Sequence, residues 1–160
     1  MDEEITSSIK NLLIRLEQEG CLEDKWRTEF LLKMSESNLD KSVPSVKADF
    51  YIPLRNKKRV FLEIEKSAGN IDANVSKYWL WLDRNWGEVY NKKTVLIHLL
   101  NPEEFKGQNY LSRIEIAKFI AGKIKTNGYD FEYILIDRLP EGNWHTAGFE
   151  KVKDIIESLL

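Results

Sequence analysis

Hydrophobic residues recur along this chain at two spacings, one typical of helices and one typical of strands. Near the N-terminus, from Ile5 to Leu16, they recur every three or four residues, and Gly20 then ends the pattern. This spacing predicts a first amphipathic helix. The same spacing predicts three more helices, over residues 71–86, 110–125 and 149–159.

Alternation of apolar and polar residues, or a short continuous apolar run, predicts the strands. The first strand pattern, at 26–34, also fits a helix because Trp26 and Phe30 are four residues apart. A polar segment at 35–45 follows it and predicts a mobile loop. Five strands are predicted, at residues 26–34, 47–54, 59–66, 94–100 and 130–137.

The predicted order of elements is α-β-β-β-α-β-α-β-α, without an internal repeat or a domain boundary. A strand–helix–strand unit as long as the one from 94 to 137 favours parallel pairing. The second and third strands are joined by a four-residue turn and therefore predict an antiparallel hairpin. These features predict a single α/β domain over residues 1–160, with a mixed sheet covered by helices.

Composition narrows the class of protein without identifying it. The 160 residues are 42% hydrophobic and 31% charged, which is ordinary globular composition. The net charge is −2, so any contact with nucleic acid requires a local basic patch. The single Cys21 excludes an intramolecular disulfide and a cysteine-rich zinc site. An acidic N-terminus and the lack of a long apolar run predict a cytoplasmic protein.

Two carboxylates lie one residue apart in the stretch VFLEIEK, where Glu63 and Glu65 share one face of a predicted strand. If the hairpin turn is centred on Asn56, Asp49 lies directly across from Glu63 on the neighbouring strand. Like charges opposite each other are destabilising unless a cation neutralises them. The three carboxylates therefore predict a site for Mg²⁺ or Mn²⁺.

The ordinary alternative is a half-exposed hairpin with its charges in water. A register shift by one residue would also move Glu63 to the other face. Two aromatic residues, Tyr51 and Phe61, share the face of the carboxylates, which favours a partly covered cleft over a freely solvated surface.

With Asp49 on the second strand and Glu63-Ile64-Glu65 on the third, the order of elements over about residues 1–100 resembles the PD-(D/E)xK nuclease superfamily. The resemblance implies a restriction endonuclease-like fold. It also implies that Asp49 and Glu63 bind metal and that the carbonyl of Ile64 adds a ligand. Glu65 stands where the superfamily usually has lysine, although some restriction enzymes have glutamate there.

Metal-dependent hydrolysis of a phosphodiester suits these residues, because a bound divalent ion activates water and stabilises charge on phosphate. Glu65 would orient or deprotonate the water or bind a second ion. A displaced lysine would be Lys77, one to two turns into the next helix, although a solvated helix lysine is the ordinary interpretation.

A basic cluster at the hairpin tip is the candidate contact for phosphates, although a basic tip is also ordinary solubility chemistry. Trp81, on the flank of the second long helix, is a candidate for stacking on a base. The two histidines, His98 and His145, lack ligand spacing, and no phosphate-binding glycine loop is present. The basic cluster consists of Arg55, Lys57, Lys58 and Arg59.

The sequence and the resemblance together predict a Mg²⁺-dependent nuclease with DNA as the expected substrate. Cleavage of two strands would commonly use a homodimer. The main alternative is a non-catalytic module that binds nucleic acid or protein on the same fold. A glycoside hydrolase with paired carboxylates is disfavoured, because neighbouring carboxylates on one sheet are closer than the roughly 5–9.5 Å that this chemistry uses.

Overall fold

A computed structural model of the chain describes residues 3–33, 46–85, 89, 91–105, 107 and 109–160. The part described contains four long helices and five strands, and the first three strands follow one another between the first two long helices. The helices are α1 (Glu3–Gln18), α2 (Ile71–Arg84), α3 (Leu111–Thr126) and α4 (Trp144–Leu159). The strands are β1 (Arg27–Leu32), β2 (Val46–Pro53), β3 (Lys58–Glu65), β4 (Lys93–Leu100) and β5 (Phe131–Ile136).

The five strands form one mixed sheet in the order β1-β2-β3-β4-β5. The first three strands pair antiparallel, and β3–β4 and β4–β5 pair parallel. The long connections that contain α2 and α3 allow the parallel pairing, because a parallel pair needs a crossover. The predicted α/β class, with a mixed sheet flanked by helices, is therefore confirmed, and so is the parallel pairing of β4 with β5.

Each face of the sheet packs against one pair of helices and forms its own hydrophobic core. Alternation along the strands puts Phe50, Leu62 and Ile97 on one face, where they pack in a common cluster with buried residues of α1 and α4. Phe61 and Leu96 point the other way and pack with buried residues of α2 and α3. The carboxylates of β3 belong to this second face.

The strand predicted at 26–34 is observed as β1, so the helical alternative at this segment is wrong. The loop predicted at 35–45 lies outside the described residues, as do Met34 and Trp86 at the ends of their predicted elements. Within the described ranges, no helix is both long and apolar enough to cross a membrane.

Candidate functional site

The β2–β3 hairpin has the register that the sequence predicts. Phe50 pairs with Leu62, and the N–H of Leu54 donates to the carbonyl of Lys58 at 2.8 Å. Continuing this register by one residue brings Asp49 opposite Glu63. The regular β-ladder ends at Phe50 and Leu62, one residue short of this position, although β2 begins before Asp49 and β3 extends past Glu63.

The side chain of Asp49 hydrogen-bonds to the backbone of β3 at the point where the regular pairing of the hairpin ends. Its Oδ2 accepts a hydrogen bond of 2.8 Å from the backbone N–H of Ile64. Burial raises the pKa of Asp49, while this hydrogen bond and the charge of Lys77 act in the opposite direction. The contact observed for Ile64 is thus made by its N–H, and its side chain is in the core. A ligand role for its carbonyl stays a prediction.

Glu63 is nearly buried, with 5% of its side chain exposed, and is contacted by two residues of α2. The ammonium nitrogen of Lys77 lies 2.7 Å from its Oε1, and the hydroxyl of Tyr78 donates to the same oxygen. Burial raises the pKa of Glu63 to about 7, and the charge of Asp49 adds to this effect. Lys77 and Tyr78 favour the charged form but do not outweigh burial.

Lys77 lies at the centre of this group. Besides Glu63, its ammonium nitrogen contacts the carbonyl of Lys47 on β2, at 2.8 Å. Only 12% of its side chain is exposed. The solvated helix lysine expected as the ordinary case is therefore not what the structure contains. Asp49, Glu63 and Lys77, which we call the β3 site, come together at the end of the hairpin farthest from its turn.

Glu65 is held by four donors of the protein. Its Oε1 accepts from the backbone N–H groups of Lys66 and Ser67 at 3.1 and 3.0 Å. Its Oε2 accepts from the side-chain amide of Asn74 and from Nε2 of His98, the latter at 3.3 Å. Burial opposes ionisation, but the hydrogen bonds from His98, Ser67 and Asn74 outweigh it and lower the pKa of Glu65.

These contacts remove Glu65 from the predicted three-carboxylate cluster, because both of its oxygens already have partners. Among the described residues, no group of three or more histidine, cysteine, aspartate or glutamate side chains is arranged to hold a metal ion. The arrangement favours a positioning role for Glu65, which fixes the connection from β3 to α2. Its predicted roles as base or ligand have no supporting contact.

Asp49 and Glu63 nevertheless have the donor set for one hard cation. Mg²⁺ is commonly bound by one or two carboxylates, with water and substrate phosphate completing its coordination. Oδ1 of Asp49 and Oε2 of Glu63 accept no hydrogen bond from the part of the chain that is described. Burial raises the pKa of both carboxyl groups, and a divalent ion bound between them would lower it again. The two residues therefore fit a single divalent ion.

Sequence reasoning missed four polar residues that hold the carboxylates of β3, which are Tyr78 for Glu63, Asn74 and His98 for Glu65, and Tyr133 behind His98. Asn74 and Tyr78 share one side of α2 with Lys77. In the sequence, Tyr78 could have been noticed because its hydroxyl is a polar group on an otherwise apolar stripe. His98 is fully buried in β4, and its Nδ1 lies 2.8 Å from the hydroxyl of Tyr133 on β5. A histidine inside an apolar strand was the only sequence signal for this pair.

The basic hairpin tip lies at the opposite end of the hairpin from the β3 site. Arg55 lies six positions after Asp49, a distance of about 20 Å at the usual strand rise. Lys58 donates to the carbonyl of Leu159 at 3.0 Å, while Arg59 is buried against the ring of Trp81, 5.5 Å from its centroid. Arg55 and Lys57 are exposed. Because Arg59 is buried, the four side chains do not form a single exposed patch at the hairpin tip, and the predicted contact with phosphates stays a prediction for the other three.

Trp81 belongs to the core and is only 5% exposed. Its ring packs edge-on against Phe61, with ring centroids 5.2 Å apart. A ring held in this way offers little surface to a base, and the predicted stacking role of Trp81 stays a prediction. Its neighbour Trp79 is only partly buried, at the edge of the same core.

Comparison with known proteins offers no role that could be transferred to this site. No protein-family model, curated protein or solved structure matches the chain significantly.

Proposed function

We propose that this chain is a metal-dependent nuclease with a restriction endonuclease-like core, which hydrolyses phosphodiester bonds with DNA as the expected substrate. The sheet order supports the proposal: β1, β2 and β3 form an antiparallel meander, and β4 returns parallel to β3 after α2. This arrangement is similar to the PD-(D/E)xK core suggested by the sequence.

The observation that carries the proposal is the β3 site itself. Two neighbouring carboxylates, Asp49 and Glu63, feel the charge of one lysine, which pairs with Glu63 and comes from α2 instead of from β3. Lys77 would therefore take the part of the lysine that the superfamily usually has at the position of Glu65. Buried carboxylates arranged with a cation in this way are typical of functional sites, because each environment shifts the pKa of its group.

A divalent ion bound at Asp49 and Glu63 would act as a Lewis acid on the phosphate and lower the pKa of an attacking water. The protein holds the two carboxylates ready: Ile64 N–H fixes Asp49, and Tyr78 fixes Glu63. Lys77 would stabilise the negative charge that grows on the phosphate, as a fixed ammonium does in a site with little water.

Glu65 contributes by holding the start of α2 in place. It accepts hydrogen bonds from Ser67, just before the short helical turn Ala68–Asn70, and from Asn74 in the first turns of α2. Lys77 follows Asn74 by three residues and so lies almost one turn further along the same helix. Glu65 would thus be a positioning residue, which sets the reach of Lys77.

A non-catalytic binding module is the second candidate, and one observation favours it. Lys77 and Tyr78 already contact Oε1 of Glu63, so this carboxylate has a cationic partner within the protein and does not require an ion. In such a module the β3 site would only join α2 to the sheet. Metal-dependent chemistry therefore separates the two candidates.

The experiment is a cleavage assay with Mg²⁺ or Mn²⁺ on labelled single-stranded DNA, duplex DNA, flapped DNA and RNA. We expect the unmutated protein to cleave at least one substrate, and Asp49→Asn and Lys77→Met to lower the rate by about 100-fold or more. Asp130→Asn and Lys125→Met change the same residue types at exposed positions and should retain the rate.

Circular dichroism of each variant shows whether it is folded. Cleavage that survives Asp49→Asn in a purified protein would contradict the proposed site. A folded, unmutated protein that cleaves nothing with either ion would favour the binding module.

A further inference from the structure

A second concave feature lies on the same face of the sheet as the β3 site, between edge strand β1 and helix α2. It is a cleft of about 450 Å³, in the size range of pockets that bind small molecules. Its walls include Phe30 on β1, Tyr51 on β2 and Trp81 on α2. We call it the β1–α2 groove.

The groove combines positive charge with aromatic rings. Arg27, Lys33 and Arg59 line it, and Glu29 is the single carboxylate among its described lining residues. The whole chain carries a net charge of −2, so this excess of cations is local. Oε2 of Glu29 lies 4.0 Å from the ammonium of Lys47, which reduces its effect on a bound anion.

The rings are arranged as a platform. Phe30 and Tyr51 are stacked, with centroids 4.3 Å apart and planes 20° apart, and both are only half-buried. Tyr51 rests in turn on Phe61, at 5.3 Å. A half-exposed aromatic stack beside two exposed cations, Arg27 and Lys33, is the combination that binds unpaired nucleotides: bases stack on rings and phosphates meet cations.

Two lining residues of the groove, Tyr51 and Glu29, lie close to Asp49 of the β3 site along and across the strands. Tyr51 and Asp49 share a face of β2 two residues apart, a separation of about 7 Å. On β1, the residue across from Asp49 is Glu29, whose φ of 47° lies in the left-handed region that non-glycine residues seldom adopt. The regular pairing of β1 with β2 omits this position, where a lining residue of the groove faces Asp49 across the sheet. Irregular backbone of this kind is often found beside functional sites.

We propose that the β1–α2 groove binds an unpaired stretch of nucleic acid and leads it to the β3 site. This inference rests on the proposed nuclease function, whose substrate class it specifies. In a regular duplex, both faces of each base are stacked on neighbouring bases, so a base reaches Phe30 or Tyr51 only when it is unpaired or extruded. The substrate is therefore single-stranded, or a junction with a free strand.

Fluorescence anisotropy with labelled oligothymidylate and a labelled duplex of equal length tests the inference, in EDTA so that nothing is cleaved. We expect tighter binding of the single strand. Arg27→Glu combined with Lys33→Glu should weaken it at least tenfold and lower the salt dependence by about 0.7 for each phosphate that the variant no longer neutralises. Phe30→Leu, which keeps apolar packing but removes the ring, should weaken binding about fivefold or more.

The matched control is Arg55→Glu combined with Lys57→Glu, which reverses one arginine and one lysine at the exposed hairpin tip. It should change the affinity less than twofold. Equal loss in the tip and groove variants, or preferred binding of the duplex, would overturn the inference. The binding result is independent of the cleavage assay: groove binding without cleavage refutes only the nuclease, and cleavage that is unaffected by the groove variants refutes only the groove.

Discussion

Lys77 on α2 and Glu63 on β3 form an ion pair of 2.7 Å whose two side chains are 12% and 5% exposed. A nearly buried pair of this kind loses solvation that its mutual attraction only partly restores. Here the carboxylate has a second donor in Tyr78 and a pKa of about 7, so its charge is only just maintained near neutrality. The charge of Glu63 therefore depends on Lys77 and on the pH.

Removal of Lys77 should destabilise the fold most at alkaline pH, because Glu63 then stays charged and cannot be neutralised by a proton. We expect Lys77→Met to lower the free energy of unfolding by about 3 kcal/mol at high pH and by less in mild acid. Urea denaturation at both pH values measures this. Lys125→Met, at an exposed site, should change it by less than about 0.5 kcal/mol. Equal effects of the two substitutions would mean that the ion pair contributes nothing.

Glu63 should also give the metal-free protein a characteristic pH dependence. The pKa rises from 4.5 in the unfolded chain to about 7 in the fold, so the folded state holds the proton more tightly. Its stabilising contribution is complete below about pH 4.5 and is lost as the pH rises through about 7, by up to about 3 kcal/mol.

Glu63→Gln removes this titration, so the difference in unfolding free energy between the unmutated protein and the variant should shift in favour of the variant as the pH rises. Urea denaturation in EDTA across this range provides the curve. A difference that stays constant with pH would show that Glu63 does not titrate in the range given.

His98 should be important for stability because it is the buried partner of both Glu65 and Tyr133. His98→Ala would leave the carboxylate of Glu65 short of a donor, at a cost of about 3 kcal/mol, whereas Tyr133→Phe removes one hydrogen bond and should cost about 1 kcal/mol. His145→Ala changes the same residue type where the side chain is 24% exposed, and it should destabilise the protein less than His98→Ala does. Thermal melts of the three variants would test this ranking, and a larger loss at His145 would contradict it.

Trp81 should behave as a core residue. Trp81→Ala should lower the free energy of unfolding by about 3–5 kcal/mol, because it leaves a cavity beside Phe61 and Arg59. Trp79→Ala, at a partly buried position of the same helix, should cost less. If Trp81→Ala left stability intact and weakened only the binding of nucleic acid, the result would support the base-stacking role instead.

The hairpin could be predicted from the sequence because its register is a local property. Apolar side chains alternate on both strands, and the turn at Asn56 leaves few ways to pair them, so the opposition of Asp49 and Glu63 follows. The contacts of Glu65 could not be predicted in the same way. They depend on the parallel register in which Glu63 pairs with His98, which is set by the 27-residue crossover from Glu65 to Lys93.

The pattern of helix α2 also predicts less than the structure contains, because it does not show which residues on the flanks of the helix are covered. Its periodicity identified the apolar stripe that contains Val75, Tyr78 and Leu82, all of which are buried. The stripe does not reveal how far the sheet and α3 extend beneath the flanks of the helix. Trp81 was therefore assigned to a solvent-facing flank, and the solvated state seemed the ordinary one for Lys77, although both are largely covered.

Calorimetric titration of the substrate-free protein with Mn²⁺ tests the central claim, that Asp49 and Glu63 bind a divalent ion, most directly. We predict one site in the unmutated protein and in Asp130→Asn, and none in Asp49→Asn, while all three proteins remain folded. Asp49→Asn should also raise the melting temperature in EDTA, because it relieves the repulsion between the two carboxylates. If the unmutated protein binds no Mn²⁺, or if Asp49→Asn binds it equally well, the claim is contradicted.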